Sequence, residues 1–547
     1  MSDAIADVIV IGSGPAGAQA SAKLVDAGLD VVTVDVGERD DDLPNAIPAR
    51  GFSELRRTDP NQRRYFVGDG FASEAAAGVR VGAQLTPPRQ FIVRNSDRFG
   101  ALRSQTFTPM QSFSIGGLGA GWGSGCQTFT SAECALTGLP YKDLHPFYSE
   151  VAADIGICGS LDDDTAENML ATSPIQPPHQ LDTNAQHVFD AYLRKRSAFH
   201  QAGFRLGRAT LAMLSEPLEI DGDRREKNPY HDMDFYSDRS RSVYRPRFTI
   251  ERLRGRSNYR YLDRLLAWTF EETDDHVALT CNDLRTGTRV TLKARSLMLA
   301  AGAINTGRLA ARSKAAYGVR LPLISNAYQY IPAINLRMLG RPARDERHSM
   351  AQLIGALADG RQQHDQLVLN FFSYRSLLLY KLVKEMPLPP ELGLLVARLL
   401  MTSLTVIGLH HPDYAASSKW LSLERSSADE DILEAQYVES DSQVALNRTG
   451  TAQALRTLTK MGLIPMGVIN PGAGSSIHYA GPLSIRPEPG IMQTAPSGAL
   501  HSYRRVYVGD SAGWNFLPAK GPTLSIMANA RRVAAGIAQD LKSRGIR

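Results

Sequence analysis

The residues best suited by type and spacing to do chemistry are Gly12-Ser13-Gly14-Pro15-Ala16-Gly17, followed 18 positions beyond Gly17 by Asp35. Each glycine has a physical task. Gly12 allows a tight turn, Gly14 lets the backbone approach a pyrophosphate, and Gly17 lets a helix pack on the strand before it. The phosphates of a dinucleotide then sit on the helix N-terminus. A carboxylate at the position of Asp35 accepts hydrogen bonds from an adenosine ribose and favours an unphosphorylated one.

The flanking sequence supplies the elements that such a site needs. Ala6-Asp7-Val8-Ile9-Val10-Ile11 reads as a buried strand running into the glycine turn. Ala18 to Ala27 has no internal breaker and favours helix, Gly28 stops it, and Val31-Val32-Thr33-Val34 is a second strand ending at Asp35. Together they make one complete βαβ unit.

Length and composition bound the rest. A chain of 547 residues is too long for one ordinary core, so two closely connected domains are expected. Hydrophobic content of 43% with 21% charged residues describes a globular protein. A net charge of +5 is small, and basic residues are dispersed apart from short clusters such as Arg56-Arg57 and Arg63-Arg64, which argues against nucleic-acid binding. Cys126, Cys134, Cys158 and Cys281 have neither metal-ligand spacing nor the density of a disulfide framework. With the acidic start Met1-Ser2-Asp3 leading straight into the first strand, they point to a reducing, cytoplasmic compartment, and no metal site is read.

Further along, residues 80 to 113 hold short apolar runs consistent with strands or extended loops. The most glycine-dense segment, Gly116-Gly117-Leu118-Gly119-Ala120-Gly121-Trp122-Gly123-Ser124-Gly125, follows. It lacks a preceding strand, so it reads as backbone lying against a flat ligand with Trp122 as a packing anchor. Asp143 to Ile157 is helical in period, with Pro146 assigned to the first turn. Tyr259 to Phe270 is apolar at helical or strand spacing, and the runs around Thr286-Gly287 form a hairpin. Ser296 to Thr306 is a buried strand whose Ala301-Gly302 turn can bring backbone close to a cofactor.

Residues 365 to 411 are the most apolar, but Pro387, Pro389, Pro390 and Arg398 interrupt them and no clean spanning segment survives. A core helix of the second domain is expected there. The alternative is a peripheral membrane contact through 376–409, with Lys381, Lys384 and Arg398 at its rim. Near the C-terminus, Val506-Tyr507-Val508-Gly509-Asp510-Ser511 is a strand with a polar turn, and Pro522-Thr523 begins a helix.

Taken in order, these pieces resemble the glucose-methanol-choline (GMC) family of FAD oxidoreductases, and within it the pyranose oxidase and glycoside oxidase branch. The resemblance rests on Gly12 to Gly17 with Asp35-Val36-Gly37, Gly116 to Gly123, Leu299 to Arg308, Ser475 to Gly481, and Val508 to Ala530. It implies an α/β fold: a Rossmann-like FAD-binding domain built from discontinuous segments (1–160, 246–320 and 470–547), and an α+β substrate domain (161–245 and 321–469) with a β-sheet floor. On this resemblance Gly12, Ser13, Gly14, Pro15, Ala16 and Gly17 meet the pyrophosphate, and Asp35, Val36 and Gly37 meet the ribose. Gly116, Gly117, Gly121, Trp122, Ala301 and Gly302 lie along the flavin. Asp510, Ser511, Pro522 and Thr523 approach its ribityl and pyrimidine end.

Ser475-Ser476-Ile477-His478-Tyr479-Ala480-Gly481 looks like the family's H-x-x-G segment and implies His478 as the base. Oxidising an alcohol by hydride transfer to flavin N5 requires removal of the hydroxyl proton, which a histidine titrating near neutrality suits. Two departures stand out. Pyranose oxidases bind FAD covalently through a histidine just before the Trp of the glycine-rich segment; Gly121 stands there, so noncovalent FAD is expected. The family's second catalytic residue, an Asn or His before Pro-Thr-Leu, is here Gly521, so either Lys520, Asn515 or another group substitutes, or the chemistry is not the family's usual alcohol oxidation. Three readings follow. The first is oxidation of a secondary alcohol of a sugar, glycoside or biosynthetic intermediate, with oxygen or another acceptor. The second is a redox-neutral flavoprotein, isomerase or lyase; the third, a catalytically silent FAD-bound scaffold.

Overall fold

A computed structural model of the chain describes residues 5–39, 48, 50, 54–55, 58–61, 87–169, 174–230, 240–341, 348–358, 360, 362–372, 386–426 and 430–545. Arg56-Arg57, Arg63-Arg64, Lys381 and Lys384 fall outside the described residues.

The βαβ unit forms as expected: strand Ala6–Ile11, helix Pro15–Asp26 and strand Val31–Val34. The first strand is apolar because both of its faces are covered, as a parallel sheet requires. It pairs in parallel with Val31–Val34 on one side and with the distal half of Arg289–Leu299 on the other. Val506–Val508, drawn from the far end of the chain, adds in parallel beside Leu297–Leu299. Tyr259–Leu262 closes one edge in parallel, and the antiparallel strands Val277–Asp283 and Leu265–Glu272 extend the other. Tyr259 to Phe270 is therefore strand rather than helix.

Helix Pro15–Asp26 presents Ala16, Ala18, Ala20 and Ala22 to the sheet and to helix Thr523–Ser543, which contributes Ala530, Val533, Ala534 and Ile537. Small side chains allow this close approach, and the tight layer holds the glycine turn at the carboxyl end of the sheet. Helix Tyr141–Ile155 packs on Thr523–Ser543. Pro146 lies inside that helix rather than in its first turn, which leaves the Lys142 carbonyl without an intrahelical partner.

A second, antiparallel sheet runs Leu463–Pro465, Tyr328–Asn335, Leu404–His410, Leu367–Phe372, Ala351–Leu357 and Phe204–Arg208. Its period of two is strict at the centre. Ile331, Leu369, Phe371, Ile407 and Leu409 pack under helices Thr183–Arg194 and Asp441–Lys460. The alternate positions Tyr328, Tyr330, Asn370, Phe372 and His410 face the other way, toward the glycine turn. This sheet is the expected floor, and the α/β fold class stands.

The apolar run near residue 395 forms helix Pro390–Leu400, with Leu392 and Leu395 45% and 53% exposed on one face and Leu400 packed against Leu404. Among the described residues no helix is long and apolar enough to cross a membrane.

Candidate active site

One cavity of about 350 Å³ lies between the two sheets. Its wall contains most of the residues singled out in the sequence: Gly12 to Ala16, Asp35 and Val36, Gly117, Gly121 and Trp122, Ala301 and Gly302, His478, Asp510 and Ser511, Pro522 and Thr523. Gly17, Gly37 and Gly116 stand just behind it. Gly17 is pressed on the turn, where a Cβ would sit 1.8 Å from the Gly12 carbonyl oxygen. Gly37, at φ +65°, packs against Tyr261. Gly116 donates its N–H to Ser13 Oγ at 2.9 Å and supports the turn from outside.

The first half of the cavity is built mainly of backbone. At Gly12, φ +98° and a hypothetical Cβ 2.6 Å from the Ala300 carbonyl oxygen both require glycine. The helix that follows opens with Pro15, and the N–H groups of its first turn are free of helical partners, the arrangement that binds a phosphate. Asp35 accepts hydroxyl hydrogen bonds from Ser13 and, at 3.1 Å, from Tyr261, both at Oδ2. Burial pushes its carboxyl up to about 6 against the pull of those bonds. Asp510 works on the opposite bank. It accepts from the Gly302 N–H at 2.9 Å and the Thr306 hydroxyl at 2.6 Å, which fixes the Ala301-Gly302 turn against the cavity. Trp122 is anchored through Nε1, donating to the Tyr244 carbonyl at 2.8 Å. The side-chain Oδ1 of Asn305, one turn beyond Gly302, is buried on this wall with no hydrogen-bond donor among the described residues, as is Oε1 of Gln111. A bound group carrying amino hydrogens would satisfy them.

The second half is built of side chains. His478 precedes the short strand Tyr479–Ala480, whose antiparallel pairing with Ile324–Ser325 brings Asn326 beside it. Asn326 Nδ2 donates to the carbonyls of His411, Leu517 and Pro518 at 2.8, 3.3 and 3.1 Å, so its Oδ1 must be the atom facing His478 Nδ1 at 3.1 Å. An acceptor there assigns the proton to Nδ1 and leaves Nε2 with a lone pair. Among the described residues no group hydrogen-bonds that Nε2, and the ring lies on the cavity wall. Burial pushes the His478 imidazole down to about 4, so it is neutral at physiological pH. The preceding residue, Ile477, has φ +64°, a strained conformation for a β-branched residue, which aims the histidine. The supporting strand is itself tied down: Asp413 accepts from the Ser325 N–H and from Tyr437 at 2.8 and 2.9 Å, and forms a buried ion pair with Lys419.

Neither residue named as a substitute for a side chain at position 521 serves. Lys520 is buried away from the cavity, ion-paired with Glu133 at 2.8 Å and bonded to the Thr128 carbonyl. Asn515 donates to the Ile485 carbonyl and lies off the wall. The space beside Gly521 is taken by Gln127, whose Oε1 accepts the Gly521 N–H at 2.9 Å and would lie 2.8 Å from a Cβ there. That bond orients the amide and leaves Nε2 as an unpaired donor on the wall. Asn326, Gln127 and the floor residues Tyr328, Tyr330, Asn370, Phe372 and His410 were not singled out from the sequence. The only local signal was the alternation of Tyr328 and Tyr330 in a strand pattern.

No protein-family model matches the sequence, and no curated protein matches it. Among solved structures, pyridoxine 4-oxidase from Mesorbium loti is similar at a TM-score of 0.55, with 13% identity over 97% of this chain and 99% of that one. The chain has the fold of that oxidase. The likeness spans both sheets and nearly the full length of each protein, and at this identity it is a likeness of fold.

Proposed function

We propose that the chain is an FAD-dependent oxidoreductase of the GMC type that oxidises an alcohol, most suitably a secondary hydroxyl of a sugar, glycoside or biosynthetic intermediate. The observation that carries this reading is His478: a neutral imidazole with Nδ1–H held by Asn326 and an unpaired Nε2 on the wall of a cavity that begins at a dinucleotide cradle. The residues present fit FAD. Gly12 to Ala16 would receive its pyrophosphate, Asp35 its ribose, and Gly117, Gly121, Trp122, Pro522 and Thr523 its flavin end. Gly121 has no side chain to bond it, in keeping with noncovalent attachment.

When bound, FAD would supply the two-electron acceptor for the hydride of the carbinol carbon. The chain's own residues do the rest. His478 Nε2 takes the hydroxyl proton as the carbonyl forms, and Asn326 Oδ1 steadies the resulting imidazolium through Nδ1–H. Gln127 Nε2 is a donor to the oxygen from the far side. Tyr328, Tyr330 and Phe372 offer ring faces on which a substrate ring can lie, with Asn370 among them. The solved neighbour is named as an oxidase of pyridoxine, which supports oxidation over the redox-neutral reading. In this reading residues 1–160, 246–320 and 470–547 form the cofactor domain, and 161–245 and 321–469 the substrate domain. The electron acceptor is oxygen or another oxidant, and the four buried, unpaired thiols suit the cytoplasm.

The test is an anaerobic spectrum of the purified protein titrated with sugars, glycosides and lipophilic alcohols. Bleaching of the oxidised flavin by one of them is expected. A flavin that bleaches with dithionite and with no alcohol would transfer the reading to redox-neutral chemistry or a scaffold. A peripheral membrane contact through 376–409 is favoured by the exposed Leu388, Leu392, Leu395 and Met401; flotation with anionic liposomes tests it.

A further inference from the structure

We propose that His410 is a second catalytic residue, whose imidazole donates a hydrogen bond to the substrate oxygen while His478 takes the proton. The proposal rests on the alcohol-oxidation reading above, and it comes from the floor sheet rather than from any motif.

His410 ends the strand Leu404–His410, and the two-residue period that buries Ile407 and Leu409 under the helices turns its side chain to the cavity. The ring is held without hydrogen bonds. It meets its cross-strand partner Tyr328 at 4.3 Å between ring centroids and stacks on His478 at 5.4 Å with planes 19° apart. Gly408 makes this possible, since a Cβ there would lie 2.6 Å from the Tyr328 hydroxyl. Polar side chains sealed into a protein interior almost always find a partner, yet His410 Nδ1 is buried with none.

The tautomer follows from relative cost. An orphaned N–H is rarer in folded proteins than an orphaned acceptor, so Nδ1 is the lone-pair nitrogen and the proton resides on Nε2. Nε2 carries no hydrogen bond to the protein and is not sealed off with Nδ1, so it is the edge open to the cavity. The two stacked rings then differ in what they offer. His478 Nε2 accepts, and His410 Nε2–H donates. A hydroxyl between them gives its proton to the first and receives a hydrogen bond from the second, which orients the oxygen and stabilises negative charge developing on it. The stack also constrains charge: when His478 becomes cationic, His410 must stay neutral, and its burial beside His478 and His411 holds its pKa well below the ordinary histidine value.

The substitution His410→Phe keeps the stack on Tyr328 and His478 and removes both nitrogens. Holoenzyme carrying it is compared with wild type by anaerobic stopped-flow, using whichever of D-glucose, methyl β-D-glucopyranoside, benzyl alcohol or cyclohexanol reduces the wild-type flavin fastest. The expected results are unchanged FAD content, flavin reduction slowed by about 10²-fold, and roughly tenfold weaker binding of the matching carbonyl product, read as a perturbation of the oxidised flavin spectrum. His410→Asn, which restores an N–H donor, should recover part of both losses. A Phe variant that reduces within threefold of wild type with unchanged product affinity overturns the role. If that variant fails to retain FAD, the same two readouts on His410→Leu decide by the same criteria. A wild-type flavin reduced by no alcohol of the panel defeats the parent reading, and this one with it.

Discussion

The two halves of the cavity are built on opposite plans. One half is backbone: glycines whose missing Cβ atoms let one turn lie on another, with Gly17 on Gly12, Gly12 on Ala300, and Gly117 on Gly14. The other half is side chains delivered from segments far apart in sequence, with His478, His410 and Gln127 on one wall and Asn326 behind His478. At Gly12 and Gly17 an added Cβ would meet backbone that cannot move aside, whereas a wall of side chains can yield by changing rotamer. The space beside Gly521 is filled by the amide of Gln127, which accepts the Gly521 N–H and turns its own N–H groups away from that bond.

The comparison makes separable predictions. The largest effect belongs to Gly17→Ala: a Cβ 1.8 Å from the Gly12 carbonyl oxygen forces the helix off the strand, so the variant should purify without FAD, measured as flavin absorbance per protein. His478→Ala should do the reverse, keeping FAD while flavin reduction by alcohol falls about 10³-fold to 10⁴-fold in anaerobic stopped-flow. Retained turnover in that variant would remove histidine from the base role.

Asn326→Ala should leave FAD bound and slow reduction by roughly 10-fold to 100-fold, the cost of losing a hydrogen bond to a group that becomes charged. Its pH profile should also change, since the freed imidazole can take either tautomer. The smallest and sharpest effect concerns pH in the wild type. Burial holds His478 at about 4, below the ordinary histidine value of 6.5. The base is neutral and competent above that value, so the rate of flavin reduction should be level from pH 5 to pH 8 and fall only as pH drops through about 4. An acid limb near 6.5 would mean a solvated histidine and break the contrast between a dry side-chain half and its surroundings.

Much of the backbone-built half was legible in the chain itself. Gly12 to Gly17, the strands at 6–11 and 31–34, and Asp35 form one continuous unit, because a turn, a helix start and a strand end are local events written within some thirty residues. His478 was marked by its glycine-rich surroundings and by family resemblance. The floor was legible only as apolar alternation, and the run at 390–400 only as a helix, since hydrophobicity does not say which neighbour covers it.

What sequence determined by itself, then, is the strand, glycine turn, helix and strand at 6–34. Tertiary structure alone decided that Asn326 sets the tautomer of His478, that Gln127 fills the place beside Gly521, that Lys520 is spent on Glu133, and that His410 stacks against His478. The physical reason is sequence distance. Asn326 lies 152 residues from His478, and Gln127 lies 394 from Gly521. Antiparallel register and sheet packing bring such pairs together, and no local pattern records those partners.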